Sequence, residues 1–217
     1  MAEKNKKTGE KEAVIDKNIK KYAPFLIWLG VLAVVFIVLL LLFHGTGKVE
    51  YKGLSFTREK YGEVLVYHYY YFAELASGKV RKVDILLRGN PAENKVPVEG
   101  KIVYPEGKTV YMSINPGLEK CEDSLIAIGA FSMFISNNDI PFKGGLSDKE
   151  EAQAENQTYV TCEEYPNNMV LSLKTGNESK ITLTDKHCYN LEVANCDILP
   201  VMEKLIVQSI LDAKEKA

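Results

Sequence analysis

The residues of this chain best suited to chemistry are its four cysteines, Cys121, Cys162, Cys188 and Cys196. An even set without a C-x-x-C pair reads as two disulfides before it reads as a metal or redox centre. Zinc would have to use Cys162, Cys188 and Cys196 with His187, and adjacent His187 and Cys188 are awkward ligands for one tetrahedral ion. Thiol exchange would need an activated thiolate, which a helix amino terminus at Cys121 or Cys196 can supply. Spacing limits the pairing. Residues 189–193 read as a strand, which at about 3.3 Å per residue holds Cys188 and Cys196 roughly 25 Å apart. A disulfide spans only about 7 Å between α-carbons. Two crossed connectivities remain: Cys121–Cys196 with Cys162–Cys188, or Cys121–Cys188 with Cys162–Cys196. The first is favoured, because Cys121 and Cys196 both stand where a strand passes into a helix.

Other reactive side chains offer less. Apart from His44, the histidines are His68 and His187. There is no G-x-S-x-G, H-E-x-x-H or glycine-rich phosphate loop. His68 lies in a tyrosine-rich strand and reads as a packed or hydrogen-bonded sheet residue. Tyr67, Tyr69, Tyr70 and Tyr71 could stack on sugar rings, but sheet packing accounts for them. Glu163-Glu164 and residues 148–155 read as solvated acidic surface. No catalytic, cofactor-binding or metal-binding residue is assigned, and no cofactor is implied. Asn156-Gln157-Thr158 and Asn177-Glu178-Ser179 are glycosylation sequons, which makes Asn156 and Asn177 candidate sites.

The elements that must position these residues follow from periodicity. Residues 48–60 lead into a first strand. Strands are predicted over 63–75, 79–88, 96–104 and 109–114, with 96–104 and 109–114 as a pair. The first of these is apolar or aromatic on both faces, so it is predicted to be central or covered on both sides. A buried helix is predicted over 119–136, then a short strand at 140–143 and a surface helix at 147–155. Strands follow at 158–162, 169–173, 180–184 and 188–193, with a hairpin turn at Thr175-Gly176-Asn177-Glu178. A last helix over 198–214 carries an apolar stripe of Val201, Met202, Leu205, Ile206 and Ile210. Glu203, Lys204, Gln208 and Asp212 are expected to face water.

Residues 23–43 form an uncharged run expected to be a membrane-spanning helix about 30 Å long. Tyr22 and Trp28 lie near one interface. The net charge of −2 divides unevenly along the chain. The first 22 residues hold seven lysines and four acids, a net +3, which leaves −5 for the remainder. The positive flank predicts a cytoplasmic amino terminus. The absence of a marked basic excess argues against nucleic acid as a partner. The expected organisation is a basic cytoplasmic tail (1–22), a transmembrane helix (23–43), a linker with the first strand (44–60) and an extracytoplasmic domain (61–217). The expected fold class is α+β, or mixed α/β: a single-pass transmembrane helix followed by one disulfide-stabilised sheet-and-helix domain.

Several short pieces look similar to a known group. Cys121-Glu122-Asp123-Ser124 opening an apolar helix, Tyr159-Val160-Thr161-Cys162, Gly176-Asn177-Glu178-Ser179, and Cys188-Tyr189 followed by Asn195-Cys196 resemble uncharacterised, membrane-anchored proteins of small-genome archaea. The resemblance covers most of residues 80–215. It implies a cell-surface setting and carries no activity. The function expected from topology is a signal-anchored protein whose outer domain binds envelope or surface partners. Its expected partners are the lipid bilayer and a protein or glycan at the cell surface. The alternative is an envelope enzyme, a thiol–disulfide oxidoreductase or a hydrolase.

Overall fold

A computed structural model describes residues 24–25, 27–40, 47–75 and 78–215. The chain divides into two units, Met1–Gly47 and Lys48–Ala217. In the first, residues 27–40 form a helix, α1, with exposed apolar side chains such as Trp28 and Phe36. This corrects the expectation of a membrane span. Among the described residues no helix is long and apolar enough to cross a membrane. The single-pass topology, the bilayer as a partner and the division into cytoplasmic and extracytoplasmic parts fall with it. So do the signal-anchored function, its envelope-enzyme alternative, and the protein or glycan partner at the surface, all of which rested on that topology. The basic tail and both ends of the expected span lie outside the described residues.

The second unit is a mixed α/β domain with two sheets; of the expected fold class it is the single-pass transmembrane helix that falls. Sheet A holds β1 (Lys48–Tyr51), β2 (Leu54–Tyr61), β3 (Val64–Glu74) and β4 (Val80–Leu87), antiparallel and in that order. The expected first strand is thus a hairpin, turned at Lys52-Gly53, where both residues have positive φ. Period-two alternation sends Leu54, Phe56, Tyr67, Val83, Ile85 and Leu87 into the core. β3 is central in its sheet, but its outer face is open: Tyr70 and Phe72 are exposed.

Sheet B contains β5 (Val98–Glu99), β6 (Val110–Ile114), β7 (Phe142–Leu146), β8 (Met169–Thr175), β9 (Lys180–Asp185) and β10 (Cys188–Val193). Their order is β5-β9-β10-β8-β6-β7. β10 inserts between β8 and β9, parallel to β8, so the expected hairpin at residues 175–178 does not join neighbouring strands. β6 pairs in parallel with β7 and β8 and not with residues 96–104. Residues 158–162 contribute only an isolated bridge, Leu146 to Tyr159.

Three helices complete the unit: α2 (Ser124–Asn137), α3 (Lys149–Ala154) and α4 (Ile198–Lys214). α3 is capped by Asp148, whose carboxylate accepts the Glu151 N–H at 2.8 Å. α2 starts later than predicted. A 3-10 turn at Leu118–Lys120 precedes it, and Cys121 is extended at φ −69°, ψ 138°. α2 is also less buried than its apolar sequence suggested, with Leu125 and Met133 standing in solvent. α4 is buried on nearly every side, and one continuous core joins it to the inner faces of both sheets. Its charged residues Glu203, Lys204 and Asp212, expected to face water, are buried there.

Candidate functional site

α4 explains the irregular segment between β4 and β6. Buried backbone polar groups need partners, and this segment finds few in a strand ladder. Glu203 accepts the N–H groups of Arg88 and Gly89, the latter at 3.0 Å from Oε2. Lys204 Nζ donates to Asn94 O at 3.1 Å and to Tyr51 Oη at 3.0 Å. Asp212 accepts the Ile102 N–H at 2.7 Å. From β10, Tyr189 Oη accepts the Val103 N–H and donates to Lys101 O, both at 2.9 Å. These bonds hold Tyr104 against α4 and shape the cavity beside it.

That cavity has a volume of about 380 Å³. β3 supplies Tyr69 and Tyr71, two residues apart and so on the same, inner face. Phe134 and Asn138 come from the end of α2, and Ile140 follows them. α4 presents Ser209, Ile210, Ala213 and Lys214, which helical spacing gathers on one side. The polar groups are tied in chains. Tyr71 Oη donates to Asn138 Oδ1 at 2.8 Å, and Asn138 Nδ2 donates to Phe134 O at 2.7 Å. Ser209 Oγ donates to Leu205 O at 2.7 Å, so Tyr104, 2.8 Å away, is the donor to Ser209. Both phenol protons therefore point away, and lone pairs on the two tyrosine oxygens remain as acceptors. Burial pushes the Tyr71 phenol up to about 12, and burial likewise raises Tyr104. Neither is a base or nucleophile near neutrality. At the exposed edge, Lys214 Nζ lies 5.9 Å from the Tyr69 ring centroid. Lys214 forms no ion pair among the described residues.

Of the residues singled out from the sequence, Tyr69 and Tyr71 line this cavity, while the cysteines, His68, His187 and the sequon asparagines stand elsewhere. Cys121 is bonded to Cys196 and Cys162 to Cys188, with α-carbons 5.4 and 5.8 Å apart. No cysteine is free, so there is no thiolate for zinc or for initiating exchange. Among the described residues no group of three or more His, Cys, Asp or Glu is placed to hold a metal ion. His187 Nδ1 is buried without a hydrogen-bond partner there. Asn156 and Asn177 are both exposed. His68 lies on the outer face of sheet A, with Nδ1 2.7 Å from Glu59 and Nε2 2.8 Å from Asp84. Partial burial lowers its pKa, but the two carboxylates outweigh that and the net shift is upward. With both nitrogens engaged, His68 has no lone pair for a substrate.

A second cleft, of about 410 Å³, opens beside Gly89, Asn94, Pro97, Ser179 and Glu203. Its buried carboxylate, Glu203, is already committed to two backbone amides, so the tyrosine cavity is the better ligand site. Sequence reasoning missed Tyr104, Asn138, Ser209 and Lys214. The one signal available was the alternation that puts Tyr69 and Tyr71 on a common face. No protein-family model matches the chain, and no curated protein or solved structure matches it either.

Proposed function

We propose that residues 48–217 form a small-molecule binding domain whose cavity receives a flat aromatic or apolar ring bearing an anionic group. The observation that carries this reading is an aromatic-walled cavity of about 380 Å³ with an ammonium at its mouth. Its walls offer stacking and edge contacts to a ring. Lys214 supplies a cation for a carboxylate or sulfonate, and the tyrosine oxygens accept from a donor on the ring. The hydroxyl chains hold these groups in place before a ligand arrives, which lowers the cost of binding.

Naphthalene sulfonate is a suitable probe. Titrated into the full chain, it should shift the methyl NMR signals of Ile140 and Ile210 to saturation. Ile210→Trp, which fills the cavity, should abolish the effect. Lys214→Gln should weaken affinity about fivefold, the worth of one partly exposed charged contact. Shifts that survive Ile210→Trp, or no saturable shift at either isoleucine, would contradict a ligand cavity here.

A further inference from the structure

β4 is the free edge of sheet A: among the described residues it pairs only with β3. It is eight residues long, and exposed edges of that length invite pairing with another strand. Its outer face reads Val80, Lys82, Asp84, Leu86, with Lys82 Nζ 2.6 Å from Asp84 Oδ1 on the same strand and His68 Nε2 2.8 Å from that oxygen, so a partner's charges would join pairs already made. Val80 is 68% exposed and Leu86 48% exposed. This series is its own complement. In an antiparallel pair with a two-fold axis through Val83, Val80 faces Leu86 of the other copy and Lys82 faces Asp84, each twice. Moving the axis to Asp84 sets Asp84 against Asp84, and moving it to Lys82 sets Lys82 against Lys82. A one-residue slip turns outer residues against inner ones.

The surface beside the edge is apolar as well. A groove of about 330 Å³ between β4 and α2 is lined by Ile85, Leu86, Leu125, Ile126 and Met133. Leu125 is 86% exposed and Met133 67% exposed. In a two-fold arrangement the same patch serves on both copies.

From this charge complementarity we propose that the chain forms a homodimer by antiparallel pairing of β4 with β4 about Val83, joining two sheets A into one. Cross-strand Lys82–Asp84 pairs fix the register, and Val80, Leu86 and the α2 groove supply the apolar contact.

Charge exchange in the full chain tests it by sedimentation equilibrium. Wild type should dimerise. Lys82→Asp sets two acids face to face and Asp84→Lys sets two lysines face to face, so each alone should weaken dimerisation by about tenfold or more. Mixed in equal amounts, the two variants should recover a heterodimer, because every facing pair is again opposite in charge. Circular dichroism checks that each folds. Should either fail to fold, Leu86→Lys, at an exposed site facing Val80, carries the same expectation of weakened association. The proposal is overturned by a monomeric wild type at about 100 μM, by single variants that associate like wild type, or by a mixture that stays monomeric. Association through the exposed apolar residues of α1 would ignore these charges and give the second of those results.

Discussion

Glu203 and His68 both hold protons more tightly in the folded domain, for different reasons. Burial pushes Glu203 up to about 7 from an ordinary 4.5, although the Arg88 and Gly89 amides and the Arg88 charge pull it partway back. His68 is raised from 6.5 because Glu59 and Asp84 outweigh its burial. A folded-state pKa above the unfolded one gives stability that is full below the unfolded value and lost as pH rises through the folded value. Glu203 therefore weakens the fold between about pH 4.5 and 7, and His68 does so above about pH 6.5. Glu59 and Asp84 act in reverse. Hydrogen bonds to His68 and Tyr61 hold Glu59 down, and those to Lys82 and His68 hold Asp84 down, so their contribution fades in acid. Stability should peak on the acid side of neutrality. Urea midpoints measured between about pH 5 and 9 should fall with rising pH. Glu203→Gln should flatten the lower part of that decline and His68→Gln the upper part. Midpoints that rise across the whole range would contradict both assignments.

α4 is the element on which pattern and structure part most clearly. Its 3.6-residue stripe of Val201, Met202, Leu205, Ile206 and Ile210 is legible in the sequence and lies in the core. The same periodicity sends Glu203, Lys204 and Asp212 to water, yet they are buried. Along most of its length α4 is buried between the two sheets, and these charges survive there because segment 88–104 presents backbone groups that need them. Within it, residues 96–104 were expected to form a strand, but only Val98 and Glu99 are paired. Removing one tie tests the idea. Asp212→Ala leaves the Ile102 N–H buried without an acceptor and should cost about 1–3 kcal/mol. Hydrogen exchange should show protection lost at Ile102 while β8 stays protected. Unchanged exchange at Ile102 would mean that Asp212 is not its support.

At the scale of the whole molecule, two crosslinks join distant parts of the chain. Cys121–Cys196 links residues 75 apart, at the amino-terminal approaches of α2 and α4, and Cys162–Cys188 links residues 26 apart. Loop entropy makes the longer closure worth about 4.5 kcal/mol and the shorter about 3.5 kcal/mol. Replacing Cys121 and Cys196 by serine should therefore lower the thermal midpoint more than replacing Cys162 and Cys188; the opposite order would count against the entropic account. What the sequence determined alone is local. Alternation and apolar runs marked β3, β4, β6, β8, β10 and the final helix, because side-chain period depends only on backbone geometry. Tertiary structure decided everything that depends on distant neighbours. It placed β10 between β8 and β9, because parallel partners carry no local signature. It also assembled a cavity from Tyr69, Tyr104, Asn138, Ser209 and Lys214. No periodicity links those residues, because they come from separate elements that meet only when both sheets close on α4.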